Sequence, residues 1–398
     1  MIYPEYISAV LSVLRKNGFE AYIVGGSVRD SLLGLSPNDF DITTSALPEK
    51  TIELFSDCKL VTTGLKHGTV TIISDSHPVE VTTFRIDGDY KDSRHPSEVI
   101  FTDSIVADLS RRDFTVNAMA YDDARGVIDP FDGRADLERQ LIRTVGAPER
   151  RFAEDALRIM RAFRFSAQLG FSIDDDTISA AKSMKSGLAN VSRERVAVEF
   201  LKLITSEDPL YALMKMKECE VFEYVLGSHL PSDEQLRALG SAPRSERARL
   251  ATLLCSAPEN VRVEILSSLK LSNKLTSNVL TIAKRLSESL SGDETDARRF
   301  IGSCGELLED TLGAARALGK LDADFEALVR ANLRQKLCFT YADLAIGGKE
   351  IIALGGKGKE IGDVLDYLLE HLLKAPCDNE RDTLITLAEK YLKDKRNL

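Results

Sequence analysis

At 398 residues and 43% hydrophobic content, the chain exceeds one typical core and predicts two to four globular domains. A net charge of −10 excludes a general nucleic-acid binder, so any RNA site must be a local patch. Six cysteines (Cys58, Cys219, Cys255, Cys304, Cys338 and Cys377) lie far apart with no Cys-x-x-Cys, which excludes a disulfide framework and a cysteine zinc site and predicts a cytoplasmic protein; neither a leader peptide nor a membrane span is expected.

Residues 5–17 carry a helical apolar pattern that Gly18 stops. Ala21 to Val24 read as a strand entering a Gly25-Gly26 turn, and Ser27 to Leu33 as a helix whose first N–H groups can meet an anion. Asp39-Phe40-Asp41 leads into a strand, Ile42-Thr43-Thr44. On one strand, Asp39 and Asp41 would share a face roughly 6.6 Å apart and could converge on one divalent ion or a pair. Alone, Gly-Gly is a turn and Asp-x-Asp is two solvated acids. In this order and spacing they point to a metal-dependent reaction on a nucleoside triphosphate.

Leu47 to Phe55 reads as a short helix, and Thr69–Ser74 and Val79–Arg85 as strands turning at His77-Pro78. Glu80 is either the outward face of the second strand or a third carboxylate beside Asp39 and Asp41. Residues 86–98 are polar, have no period and read as a loop of functional length. Asp113 is an N-cap for a helix through Val116, Met119 and Ala120. Arg111 and Arg112, just before it, are either surface arginines or ligands for phosphate and ribose. Asp129 and Asp132 belong to a structural turn. Pro148 suits the start of a long helix that Gly170 closes, with Phe152, Ala156, Ile159 and Phe163 as its apolar stripe. Asp155 and Arg158 share a neighbouring face, as a plain surface ion pair or as a recognition pair. Between Arg139 and Arg164 stand seven arginines and three acids, a local basic patch. Ser192 is an N-cap for 193–205, and 206–335 read as helical hairpins. Gly347-Gly348-Lys349 and Gly355 to Lys359 are turns that open helices, either flexible surface or RNA-phosphate contacts; Glu360 after Gly358-Lys359 excludes a Walker-type P-loop.

Together these segments resemble the class II tRNA nucleotidyltransferases, the CCA-adding enzyme family. The family's first motif matches Gly25-Gly26-Ser27-Val28-Arg29-Asp30 with Asp39-Phe40-Asp41, its second Arg111 to Ala118, and its third Asp129-Pro130-Phe131-Asp132-Gly133. The fourth matches Glu154-Asp155-Ala156-Leu157-Arg158 with Arg161, and the fifth is approximated by Ser192-Arg193-Glu194-Arg195. The match is dense over 20–205, weaker over 338–392, and only all-helical between.

The resemblance implies an α+β chain: a small polymerase β-like nucleotidyltransferase head over 1–137, then an all-α neck over 138–205, body over 206–335 and tRNA-binding tail over 336–398. It implies that Asp39 and Asp41 hold two Mg2+ ions with Glu80 as a third catalytic carboxylate. Gly25, Gly26, Arg29, Arg112, Asp113 and Asn117 would hold the triphosphate and ribose. Asp155, Arg158 and Arg161 would select the base, and Asp87, Gly88, Tyr90 and Arg94 would belong to a loop that switches from C to A. The substrates would be CTP, ATP and the 3′ end and acceptor arm of tRNA. C and A each present an exocyclic amine beside a ring acceptor, which a carboxylate and a guanidinium can read. G and U place a carbonyl where the amine would be, and an unpaired buried polar group costs about 1–3 kcal/mol. The intact loop favours full CCA addition over CC-only addition. An enzyme adding only the terminal A shares the motifs. A bacterial poly(A) polymerase usually carries a basic C-terminal extension that is not seen here. A non-catalytic RNA-binding protein is opposed by intact Asp39, Asp41 and Arg29.

Overall fold

The computed structural model describes residues 1–37, 39–87, 99–288, 290–335 and 337–396. The chain divides into two compact units, Met1–Leu230 with Ser267–Leu271, and Pro231–Leu266 with Ser272–Leu398.

The first unit opens with α1 (Glu5–Lys16), which buries Ile7, Val10, Leu11 and Leu14. It continues through β1 (Ala21–Val24), α2 (Gly26–Leu32), β2 (Asp41–Thr44), α3 (Pro48–Leu54), β3 (Lys59–Val61), β4 (Thr69–Ser74) and β5 (His77–Thr83). The turn between β4 and β5 is Asp75-Ser76, both at positive φ, as a two-residue hairpin with native twist requires. His77 and Pro78, expected there, already belong to β5. Proline is tolerated in that strand because β2 pairs with β5 only from Val81 onward.

Of the loop expected over 86–98, residues 86 and 87 are strand. Arg85–Asp87 form β6 and pair with β7 (Val99–Phe101); Gly88, Tyr90 and Arg94 lie outside the described residues. Then come α4 (Ile105–Ser110), β8 (Ala120–Asp122), β9 (Gly126–Ile128) and α5 (Gly133–Glu138). Seven strands make one mixed sheet in the order β3-β4-β5-β2-β1-β8-β9, with β2 parallel to β5.

The helix expected from Asp113 does not form. Only a single 3-10 turn, Thr115–Asn117, lies there. The backbone pairs elsewhere: Thr115 N–H donates to Arg143 O, Val145 N–H donates to Asp113 O, and Ala120 joins the sheet beside Val24. Val116, Met119 and Ala120 are fully buried, so their apolar pattern reports core burial and not a helical period. Arg111 and Arg112 therefore follow a helix, α4, instead of preceding one.

After β10 (Leu141–Ile142), the expected long helix is two: α6 (Pro148–Glu154) and α7 (Leu157–Leu169), the second closed by left-handed Gly170. The break is Asp155, extended at φ −150°, ψ 104°, whose carboxylate accepts from Leu157 N–H at 3.1 Å. An aspartate offers the backbone this alternative to a continuous helix. β11 (Ser172–Ile173), α8 (Asp175–Met184) and α9 (Arg193–Ile204) follow.

The second unit is helical. Its C-terminal core packs Ile351, Val364, Leu368 and Leu372 against Leu384, Ala388 and Leu392. The Gly347-Gly348 and Gly358 turns open the helices Gly348–Ala353 and Lys359–Lys374. Among the described residues no helix is long and apolar enough to cross a membrane.

Candidate active site

The sheet register builds the site. β1 runs antiparallel to β2 with Val24 opposite Asp41, so the Gly25 turn emerges beside that carboxylate. Gly25 sits at φ 75°, and a Cβ there would lie 3.1 Å from the Arg112 guanidinium, so only glycine lets the turn and the arginine come this close. Pairing of Ile42 with Val81 sets Asp41 and Glu80, one residue before each, side by side. Asp39 lies two residues before β2 begins at Asp41, and both are exposed while Phe40 between them is buried.

Asp39, Asp41 and Glu80 are exposed and, among the described residues, have no hydrogen-bond or ion-pair partner for their carboxylates. The Asp41 carboxyl is nonetheless raised above its usual range, first by desolvation among its neighbours, then by the charge on Glu80 and, more weakly, on Asp39, with Arg112 opposing. Like charges that destabilise one another in this way are the donor chemistry a hard cation relieves. No three of the described His, Cys, Asp or Glu residues converge into one cation site, so Glu80 stands beside the other two without completing a cluster.

Of these carboxylates, Asp41 lines a cleft of about 450 Å³ together with Gly25, Gly26, six arginines (Arg29, Arg111, Arg112, Arg158, Arg161, Arg195), Asp113, Asp155, Asn117, Leu157 and Phe165. In a chain of net charge −10, this is a concentrated positive field.

Each arginine is held. Arg29 donates to Asn117 Oδ1 at 2.6 Å and pairs with Asp30 at 2.7 Å. Arg161 donates to Asp113 Oδ2 at 2.6 Å, while Asp113 Oδ1 accepts from Phe114 N–H at 2.9 Å. Burial raises the Asp113 carboxyl, but Arg161 and Arg158 outweigh it and hold the group at about 2. Arg29, Arg161 and Arg164 all lie over the Phe165 ring, at 5.4, 5.1 and 3.9 Å from its centroid.

Asp155 and Arg158 do not pair with each other. Asp155 Oδ2 accepts from Arg195 at 2.7 Å, and Arg158 donates to Glu154 at 2.6 Å, to Arg151 O at 3.2 Å and to Arg111 O at 3.1 Å. The basic patch over 139–164 is likewise largely neutralised: Arg143 pairs with Asp136, Arg151 with Glu154 and Arg164 with Glu199.

A second cavity, of about 380 Å³, shares Asp41, Arg111 and Arg112 with the cleft and adds His67, Thr69, Glu80, Thr82 and Arg85. Sequence reasoning gave no role to Phe165, Glu199, Arg195 or Asp108. For Asp108 a signal existed: an acid on the apolar stripe of Ile105 and Leu109, three and four residues before two arginines.

Three family models match the chain: "Poly A polymerase head domain" over 21–143, "Probable RNA and SrmB- binding site of polymerase A" over 170–231, and a tRNA nucleotidyltransferase domain 2 model over 242–388. The CCA-adding enzyme of Geobacillus kaustophilus is 36% identical over 388 residues, 96% of this chain and 95% of that protein. That of Lactobacillus helveticus is 38% identical over 392 residues, 97% and 96%. Among solved structures, the Bacillus stearothermophilus CCA-adding enzyme in complex with CTP is similar over 100% of both chains, with a TM-score of 0.84 and 31% identity. The Thermotoga maritima CCA-adding enzyme complexed with tRNA shares the fold, with a TM-score of 0.70 and 22% identity over 98% of this chain and 96% of that one.

Proposed function

Because the chain belongs to the CCA-adding enzyme family, the tRNA nucleotidyltransferases, we propose that it adds C, C and A in turn to the 3′ end of tRNA, from CTP and ATP, with release of pyrophosphate. One observation carries this reading: a single cleft joins six arginines and a Gly-Gly turn to the Asp41 carboxylate and to Asp155 and Arg158. That is a triphosphate site, a reaction centre and a base-reading pair within one enclosure.

Nucleotidyltransferases of this family use divalent metal ions. Asp39 and Asp41 fit them as exposed carboxylates without partners among the described residues, and we assign these two residues to two Mg2+, with Glu80 adjacent. When bound, the ions would activate the tRNA 3′-hydroxyl and neutralise the leaving pyrophosphate. The rest falls to the chain itself. Gly25, Gly26, Arg29 and Arg112 hold the triphosphate. Asp113 and Asn117 serve the triphosphate and ribose, and they also fix Arg161, one of the base-selecting residues, and Arg29. The acceptor end of the tRNA enters by the second cavity and meets the nucleotide at Asp41.

Asp155 and Arg158 read the base with capacity to spare. A carboxylate has about four acceptor positions, and Asp155 uses three, for Leu157 N–H and two contacts from Arg195. A guanidinium has about five donors, and Arg158 uses three. What remains suits the amine and neighbouring acceptor of C or A. The switch from C to A is assigned to the segment containing Asp87, Gly88, Tyr90 and Arg94. All six cysteines are free thiols, in keeping with a cytoplasmic place for the enzyme.

The test is product length. tRNAs lacking the 3′ end, ending in C, or ending in CC are incubated with CTP, ATP or both. Full CCA addition extends each to the same terminus. CC-only or A-only products would reduce the chain to a partial enzyme, and long A tails would make it a poly(A) polymerase.

A further inference from the structure

A carboxylate outside the catalytic set lies fully buried behind the cleft. Asp108, on α4, is 0% exposed. Its Oδ1 accepts from Arg111 Nε at 3.0 Å and Nη2 at 2.8 Å, and from the backbone N–H of Arg85 at 3.3 Å. Its Oδ2 accepts from Arg112 Nη2 at 3.5 Å and lies 3.4 Å from the Thr43 hydroxyl, whose single proton has a nearer acceptor in Thr82 O at 3.1 Å. Thr43 is two residues after Asp41 on β2, so the carboxylate shared by both arginines sits against the strand that carries the reaction centre.

Arg111 and Arg112 line both the cleft and the second cavity, where the two open on Asp41. Arg112 is attracted to Asp41 yet forms no ion pair with it among the described residues. A long guanidinium side chain released beside an unpaired carboxylate would close on it and occupy the reaction centre. Asp108 prevents that by offering a buried partner on the far side.

We infer that Asp108 is a positioning residue for nucleotide binding: it holds the Arg111 and Arg112 guanidiniums open to the incoming triphosphate and off Asp41. The inference rests on the nucleotidyltransferase reading. Asp108 touches no substrate and acts only through the two arginines, so its loss must appear in affinity before it appears in turnover.

The experiment compares the full chain with Asp108→Asn and Asp108→Glu. CTP binding is read by equilibrium dialysis, and KM and kcat for CTP are measured with tRNA lacking its 3′ end. Charge-assisted contacts of this kind are worth about ten- to hundredfold in binding. Asp108→Asn should raise the CTP Kd and KM by that factor with a smaller change in kcat. Asp108→Glu, which keeps the charge, should recover part of the affinity. A folded variant with unchanged CTP Kd, or one that loses kcat alone, overturns the inference. If neither Asp108 variant folds, Arg111→Gln and Arg112→Gln decide: an unchanged CTP Kd in both leaves Asp108 nothing to position. If the parent binds CTP but extends no tRNA, the functional reading fails while the Kd comparison still judges Asp108.

Discussion

Replacing Asp155 by alanine tests the base-reading pair. The side chain is mostly buried, at 16% exposure, and its three protein hydrogen bonds leave about one acceptor position for an exocyclic amine. With UTP in the cleft that position faces a carbonyl, and the unpaired contact costs about 1–3 kcal/mol, or about ten- to hundredfold in selectivity. Asp155→Ala should therefore lower the CTP:UTP ratio of kcat/KM by about ten- to hundredfold. It should also cost about 1 kcal/mol of stability, because Leu157 N–H loses its cap. Arg195→Ala separates the two effects: it frees Asp155 from its ion partner but leaves the carboxylate, so selectivity for C over U should persist. The assay is single-nucleotide incorporation into tRNA lacking its 3′ end, with each of the four nucleotides in turn. A folded Asp155→Ala enzyme with an unchanged CTP:UTP ratio refutes the reasoning.

Asp39→Ala removes an exposed carboxylate with no partner among the described residues, so it should leave the unfolding midpoint unchanged while reducing CTP incorporation by about a hundredfold or more; undiminished incorporation would sink the metal assignment. Arg161 and Arg158 hold the Asp113 carboxyl at about 2, below the 3.8 usual for an aspartate, so its stabilisation is complete above the higher value and is lost as the pH falls from there through 2. At neutral pH that contribution is about 2 kcal/mol, at 1.36 kcal/mol per unit. In urea titrations the stability gap between the parent and Asp113→Asn should be widest above pH ~5 and narrow toward pH ~2; a gap independent of pH contradicts the ion-pair account. Deleting residues 88–95 should spare C addition and impair A addition, read as product length on tRNA lacking its 3′ end and on tRNA ending in CC, and equal loss of both counts against a switching role.

The candidate site shows how far local signals reach. The strand into Gly25, α1 with its stop at Gly18, Pro148 at a helix start and Gly170 at a helix end are all legible. Each depends on φ preference or on bonds within one turn of the residue concerned. The motif residues were legible too, because their types and spacing specify chemistry before they specify shape. Two failures share one cause. The helix expected from Asp113 gave way to pairing with residues 143–145, and the helix expected through Asp155 broke where that carboxylate caps Leu157 and meets Arg195.

The sequence by itself determined which reactive groups exist and in what order: a Gly-Gly turn, separated carboxylates, paired arginines and an Asp/Arg motif. Only the tertiary structure decided how each one is held. Arg29 meets Asn117 across 88 residues, Arg161 meets Asp113 across 48, and Arg195 meets Asp155 across 40. No periodicity encodes those pairings, because they exist only after the sheet register has set β2 between β1 and β5 and α7 has brought Phe165 beneath three arginines. Asp108 is the clearest instance. In the sequence it is one acid in a short amphipathic helix; buried in the fold, it becomes the shared partner of both cleft arginines, since a buried carboxylate must be paired and those guanidiniums are within reach.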